Sequence, residues 1–571
     1  MTTVASTRRF VPQQIDLADW SQIEPIMISL RDREIATTAE LEAWLADFSE
    51  LYAAVDESGA RKYIDKSCHT DDPAIEAAFM RHVEEIEPKF KPLFFELQKK
   101  FIASPHRVGL KGQRYEMLAR DWQAEVELFR PENVELDTRV TKLVNEYDKI
   151  FGSMMVRFRG QEYTPQFMLR FNQDPDRPTR EEAWTATAYE RLKHRDTIDD
   201  LFDQVLALRQ QIAVNAGFAN FRDYAYRMHK RFDYGPAECA AFADAIEEST
   251  MPIIRDLEAK RSKEMQLETL RPWDLDVDPQ GRPPLKPFEP TDIDGFVART
   301  RAIFERISPS LASDFDKLRG GGQLDLESRK GKQPGGYQSS LHETGLPFIF
   351  MNAIGLQGDV RTLLHEGGHA FHFQWASAKE PLVFLRSSPI EFAEVASMSM
   401  ELLGMEHFDV FYGEGEDNGR ARREQLEGTI PILAWIATID RFQDWLYTHV
   451  GHSRDERTGE WKRLTKRFGR GIDWRGHEAV RDARWQAQLH LFHVPFYYIE
   501  YGIAQLGALQ LWLKSQEDVH AALAHYRAAL SLGGTAPLPK LFQTAGLQFD
   551  FSSRTVRPLM NVVAKEIEAL S

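Results

Sequence analysis

The chain has 571 residues, and its 87 Asp and Glu outnumber its 71 Lys and Arg, which gives a formal net charge of −16. This charge argues against nucleic acid or an anionic membrane surface as the main partner. A composition of 43% hydrophobic and 28% charged residues is that of a globular protein and excludes a disordered or fibrous chain. Since no apolar run reaches the ~18 to 20 residues of a membrane span and residues 1–14 lack the apolar core of a secretory signal, we expect a cytoplasmic protein.

The pattern of apolar residues predicts mostly helices. Thr37 and Glu40 form a capping-box pattern at the start of a helix. Apolar residues then recur at spacings of three and four, at Leu41, Trp44, Leu45, Phe48, Leu51 and Tyr52. Residues 271–290 contain six prolines, which predict a long loop or a crossing between lobes. Residues 320–352 predict a small sheet, and the chain beyond residue 360 again has helical character.

The motif His-Glu-Gly-Gly-His occupies residues 365–369, with Asp359 placed to cap the start of its helix. Positions i and i+4 lie ~5 to 6 Å apart on one helix face, so His365 and His369 can hold one metal ion, for which zinc is the best match. Glu366 is turned ~100° from His365 and therefore lies beside the metal. A carboxylate placed there can act as general base for a water that zinc makes acidic.

Two adjacent glycines, Gly367 and Gly368, interrupt this predicted helix. Together they cost roughly 1.5 to 2 kcal/mol of helix stability relative to alanine. We therefore expect another group, such as a substrate or a strand, to approach the helix closely at these positions.

A catalytic zinc usually has a third protein ligand. His372 and Trp375 stand where metzincins require a glycine and a third histidine, and we interpret His372 as a packed core histidine. Ser388 and Pro389 stand where thermolysin-like and zinc-aminopeptidase-like enzymes carry a glutamate. With these classes excluded, periodicity leaves four downstream candidates open: Glu380, Glu391, Glu394 and Glu401.

Four segments carry a family resemblance: KGKQPGGYQ, DVRTLLHEGGHAFH, FAEVAS and, near the C-terminus, HVPFYYIEYGIAQLGAL. Together they resemble the zinc oligopeptidase family of thimet oligopeptidase and oligoendopeptidase F, and in particular its Pz-peptidase-like bacterial members. The resemblance covers roughly residues 200–560. It implies a mainly α fold, in which two helical lobes enclose a deep substrate channel and a small β-sheet lies beside the zinc helix.

The resemblance also implies roles for single residues. Glu394 would be the third ligand of one Zn²⁺ per chain, and Glu391 would orient a ligating imidazole by accepting its other ring N–H. Groups that bind substrate or stabilise the oxyanion would lie among His493, Tyr497, Tyr498 and Tyr501. An extended peptide would add to an edge strand in the region of SRKGKQPGGYQ and PFIFMN.

We therefore predict a zinc metallo-endopeptidase of the HExxH type that hydrolyses short unstructured oligopeptides. Its N-terminal helical region would span residues 1–195 and its catalytic zinc peptidase region residues 196–571, and the oligomeric state stays open. One alternative is a zinc carboxypeptidase or dipeptidase, which requires a free peptide terminus. A second alternative is a silent peptide-binding protein, although such a protein has no need of the base Glu366.

Overall fold

The computed structural model describes residues 8–333 and 335–570, and most of these residues are helical. The α-helices are, in chain order, α1 (Trp20–Asp32), α2 (Thr38–Cys68), α3 (Pro73–Arg81), α4 (Glu87–Ala103), α5 (Gln113–Leu128), α6 (Asn133–Ser153), α7 (Pro165–Met168), α8 (Arg177–Leu192), α9 (Arg195–Asn215), α10 (Phe221–Met228), α11 (Pro236–Ser249), α12 (Met251–Glu264), α13 (Ile293–Ile307), α14 (Pro309–Gly320), α15 (Gln357–Lys379), α16 (Ile390–Met405), α17 (Asp409–Tyr412), α18 (Glu416–Thr448), α19 (Arg454–Arg467), α20 (Glu478–Asp482), α21 (His490–His493), α22 (Ile499–Glu517), α23 (Val519–Leu530), α24 (Leu538–Thr544) and α25 (Ser553–Ala569). A π-helical turn spans His82–Ile86, and 3₁₀ turns span Pro105–Gly109, Phe171–Gln173, Pro272–Asp274, Val383–Leu385 and Arg484–Ala487. In the described part of the chain, every helix is too short or too polar to cross a membrane.

Five short strands form two sheets in this part of the chain. β1 (Val156–Phe158) and β2 (Gln161–Tyr163) pair antiparallel, whereas β3 (Leu324–Glu327), β4 (Tyr337–Leu341) and β5 (Leu346–Ala353) form a sheet in the order β3-β5-β4. β5 runs parallel to β3 and antiparallel to β4, with Gln338 opposite Ile349. The predicted small sheet is thus confirmed.

The edge strands of the three-stranded sheet are β3 and β4, whereas the run PFIFMN was expected in the edge region. PFIFMN lies in the central strand β5, which is paired on both sides and is buried over most of its length. A nearly continuous apolar run is typical of a strand that is covered on both faces. Pro334, within the segment SRKGKQPGGYQ, lies outside the described residues, as do residues 1–7 of the N-terminal segment.

Helix α2 forms as the sequence predicts. The Thr37 hydroxyl accepts the backbone N–H of Glu40 at 3.2 Å, and the Glu40 carboxylate accepts the N–H of Ala36 at 2.7 Å. The predicted apolar stripe is buried and packs with α1, α4 and α5 in one aromatic-rich cluster. Capping and periodicity therefore act together to fix this helix.

The chain divides into two compact units that alternate along the sequence. Unit 1 contains the described residues up to Val126, together with Leu285–Gln425 and Ala504–Phe549. Unit 2 contains Glu127–Pro284, Leu426–Ile503 and the described residues from Asp550 onward. The proline-rich segment 271–290 holds one 3₁₀ turn and no α-helix, as predicted, and the change from unit 2 to unit 1 falls inside it. The predicted division at residue 195 concerns sequence regions, and it stays a prediction.

Candidate metal centre

Helix α15 carries the motif of residues 365–369 in unit 1. Asp359 lies in the first turn of this helix, where its carboxylate accepts the backbone N–H groups of Ile354 at 2.8 Å and Leu356 at 2.9 Å. One turn separates His365 from His369, and their ring centroids are 4.9 Å apart with nearly perpendicular planes. The two imidazoles therefore face one position from the same side of the helix.

Glu394 on α16 completes a three-residue cluster with these histidines. Its Oε2 atom lies 3.5 Å from His365 Nε2 and 3.7 Å from His369 Nε2, and the three donor atoms lie within 4.8 Å of one another. Ligand atoms about 2.1 Å from a tetrahedral zinc ion are about 3.4 Å apart, so this set of two imidazoles and one carboxylate fits the ion. The Ser397 hydroxyl donates to Glu394 Oε2 at 2.8 Å and so orients the carboxylate.

A second carboxylate, that of Glu401, orients His365. The Nδ1–H group of His365 donates to Glu401 Oε1 at 2.7 Å, and Gln425 holds the other oxygen through a 2.9 Å hydrogen bond. A proton on Nδ1 leaves Nε2 of His365 free to bind a metal. Sequence reasoning placed Glu401 only among the candidate ligands, although its spacing of seven residues from Glu394 puts both glutamates on one helix face. Glu391 is buried in α16, and its predicted orienting role stays a prediction.

Glu366 is buried beside these ligands. Burial raises its pKa to about 7, and the negative charge of Glu394 adds to the increase, whereas the charge of His365 and the backbone N–H of Gln338 oppose it. Gln338 belongs to the edge strand β4, so this strand adjoins the carboxylate. A pKa near the working pH suits a general acid or base.

The predicted close approach to the two glycines of the motif is confirmed, but the approaching groups are the backbone of α16 and an aromatic ring rather than a substrate or a strand. A Cβ atom on Gly368 would lie 2.5 Å from the carbonyl oxygen of Ala396 in α16, and one on Gly367 would lie 2.7 Å from the Phe304 ring. On the opposing helix, a Cβ on Gly404 would lie 2.7 Å from Leu364. Glycines on both helices thus bring α15 and α16 together.

His372 is a core residue, as predicted. It is buried, its Nε2 atom lies 3.2 Å from the Ser388 hydroxyl, and burial lowers its pKa to about 4. It does not belong to the metal-binding group found among the described residues.

The C-terminal candidates lie in unit 2, where the three tyrosines group around His490 rather than His493. The ring centroid of His490 is 4.8 to 6.2 Å from those of Tyr497, Tyr498 and Tyr501. His493 instead lies with its Nε2 atom 2.8 Å from Asp148 Oδ1. The roles predicted for His493 and the tyrosines stay predictions, and His490 was missed although it precedes His493 by one helical turn.

A hydrogen-bond chain determines which nitrogen of His490 carries the proton. The indole N–H of Trp435 donates to Gln488 Oε1 at 2.8 Å, so the amide nitrogen of Gln488 faces His490 Nδ1, 2.7 Å away. Nδ1 therefore accepts, and the proton of the neutral ring is on Nε2. Burial, together with the neighbouring His493, lowers the pKa of His490 to about 4, so this ring is neutral at neutral pH.

Two models of known protein families match this chain. Residues 170–560 match Peptidase family M3, and residues 10–129 match the Peptidase M3 N-terminal domain. The chromosomal oligoendopeptidase F of Lactococcus lactis subsp. cremoris is 34% identical over 101 residues, which cover 18% of this chain and 16% of that protein. An oligoendopeptidase F homolog of Mycoplasma pneumoniae is 22% identical over 471 residues, covering 75% of this chain and 73% of its own.

A solved structure of Pz peptidase A with an inhibitor has the same fold. It superposes with a TM-score of 0.88 at 25% sequence identity, covering 98% of this chain and 99% of that one. The mainly α fold class is therefore confirmed. Because the matched family region covers more than half of the 571 residues, the chain belongs to peptidase family M3.

Proposed function

We propose that this protein is a zinc-dependent endopeptidase that hydrolyses short, unstructured oligopeptides. The observation that carries the proposal is the convergence of His365, His369 and Glu394, with three donor atoms within 4.8 Å of one another and the buried Glu366 beside them. Membership of peptidase family M3 and similarity to oligoendopeptidase F support peptides as the substrates.

In this mechanism His365, His369 and Glu394 hold the metal. Zinc bound there would supply a Lewis acid that polarises the peptide carbonyl and makes a water molecule more acidic. Glu366 takes the proton from the attacking water and then delivers it to the leaving amine. Glu401 keeps the Nε2 lone pair of His365 directed at the metal, because its carboxylate holds the proton on Nδ1.

The position of β4 supports a mode of substrate binding. This strand lies at the edge of its sheet, and the backbone N–H of its Gln338 faces the Glu366 carboxylate. We propose that an extended peptide adds to this edge through main-chain hydrogen bonds, which tolerate many side chains. Such pairing would place a peptide bond next to the general base.

Hydrolysis of an internally quenched peptide, about ten residues long and blocked at both ends, tests the proposal. We expect cleavage that stops with a chelator and returns with added zinc. Cleavage that persists in chelator would contradict metal dependence. If the zinc-loaded protein spares the blocked peptide but cuts a free-ended one, the carboxypeptidase or dipeptidase function replaces this proposal. Binding without products would favour the silent peptide-binding protein.

The cytoplasmic location stays a prediction.

A further inference from the structure

Unit 2 contains a cavity of about 940 Å³ that the proposed catalytic mechanism does not use. Residues of α8, α18, α19 and the segment 468–487 line it, and all of its lining residues belong to unit 2. The metal cluster, in contrast, belongs to unit 1. A volume of this order accommodates a small molecule or a few peptide residues rather than a bare inorganic ion.

The cavity is basic, although the chain as a whole is acidic. Seven charged residues line it, of which six are basic and one is acidic: Arg191, Lys462, Lys466, Arg470, Arg481, Arg484 and Asp276. In the full chain, by comparison, 87 acidic residues face 71 basic ones. The cavity is therefore built to attract an anion.

Three of the basic residues have partners in the protein. Lys462 and Arg481 pair with Asp482 at 3.0 and 2.8 Å, and Arg470 pairs with Glu258. These ion pairs neutralise part of the positive charge on the cavity wall.

Arg191 and Arg484 differ from these residues, because neither has an ion-pair partner within 4.0 Å in the described parts of the chain. Both keep surface that is open to the cavity. Desolvation, together with the charges of Arg470 and Arg191, lowers the pKa of Arg484 to about 10, whereas Asp276 opposes the change. A bound anion would relieve this repulsion between partly desolvated guanidinium groups.

Aromatic rings form another part of the cavity wall. The Arg484 guanidinium lies over the indole of Trp435, 4.4 Å from its ring centroid, in a cation–π contact. Trp184 and Trp474 also line the cavity, with their ring centroids 6.0 Å apart. Planar guanidinium groups bind carboxylates in a bidentate manner, and indole rings contact apolar side chains.

We infer that this cavity binds a carboxylate of a peptide, held by Arg191 and Arg484, with a neighbouring apolar side chain against the tryptophans. The inference that the ligand is a peptide rests on the proposed function, whereas the inference that it is an anion rests on the cavity alone. The carboxylate comes either from the C-terminus of the peptide or from an acidic side chain.

Calorimetric titration of the zinc-loaded Glu366→Gln variant, in which turnover should be at least about 100-fold slower, tests the inference. Three peptides are compared. Two share one sequence, as a free C-terminal acid and as its amide, and the third is an amide in which one internal residue is replaced by Glu. We expect the preferred carboxylate form to bind about tenfold more tightly than the plain amide. Adding Arg484→Gln should remove that difference. Arg191→Gln, at the end of α8, provides a second test if the first variant does not fold.

The matched control is Arg139→Gln, an exposed arginine of unit 2 that does not line the cavity. It should preserve the preference. Equal binding of all three peptides, or a preference that survives both Arg484→Gln and Arg191→Gln, overturns the inference. Hydrolysis of doubly blocked peptides by the wild type separates the two proposals: cleavage with equal binding rejects only the carboxylate site, and arginine-dependent binding without cleavage rejects only the endopeptidase.

Discussion

At Glu394, a single carboxylate oxygen faces the Nε2 atoms of His365 and His369. The pairing of the two histidines follows from local helix geometry, which is why the sequence alone predicts it. The position of Glu394 depends on how α16 packs on α15, and this packing is not readable from periodicity. Periodicity therefore left four glutamates open, and only the family resemblance selected Glu394.

The choice of Glu394 as ligand predicts how two glutamates of one helix differ. Glu394→Ala should lose the bound zinc, because two imidazoles alone leave the ion without its carboxylate ligand. Glu391→Ala should retain about one zinc per chain. Metal analysis of the two purified, folded variants checks this expectation. If Glu391→Ala lacked zinc and Glu394→Ala retained it, Glu391 rather than Glu394 would be the third ligand.

The hydrogen bond between His365 and Glu401 predicts an effect without loss of a ligand. In Glu401→Gln the negative charge on the Nδ1–H side disappears, so zinc affinity should fall by about 10 to 100-fold. Competition with a chromophoric chelator measures the affinity, and thermal unfolding of the metal-free proteins detects any general damage. Unchanged zinc affinity would show that Glu401 does not tune the ligand.

At the scale of elements, the site depends on the contact between α15 and α16. Because glycines weaken a helix, the two glycines of the motif predict that another group packs closely against the helix at these positions. It does not reveal the neighbour, because a helix, a strand and a substrate can all approach a residue without a side chain. In the structure, the neighbours are the backbone of Ala396 and Ser397 at Gly368 and the Phe304 ring at Gly367.

Gly368→Ala should separate the two helices and weaken the metal site. The added methyl group would overlap backbone, which cannot move aside as a side chain can, so we expect a loss of about 1 to 3 kcal/mol of stability. Gly358→Ala is the matched control, since it lies in the same helix with open space around its Cβ. Chemical unfolding of both variants measures the change in the free energy of unfolding. Equal stability of the two would contradict the close contact.

At the scale of the whole molecule, the sequence predicts the class of fold better than it predicts which segments form each compact unit. Helical periodicity and the capping pattern at Thr37 are local, and they correctly predict α2 and a mainly α protein. The alternation of two compact units along the chain depends on contacts between distant segments, which no local pattern encodes. For the proline-rich segment 271–290, composition predicts the lack of an α-helix but leaves open whether the segment is a loop or a crossing, and the structure shows that the change of unit falls there.

The central claim is that His365, His369 and Glu394 bind zinc while Glu366 moves the proton. Zinc content and hydrolysis of a doubly blocked quenched peptide, measured side by side for the wild type and Glu366→Gln, test it most directly. We predict equal zinc content and a kcat that falls by about 10² to 10⁴-fold in the variant, because the amide cannot accept the proton. A zinc-loaded variant with a kcat near that of the wild type would contradict the account.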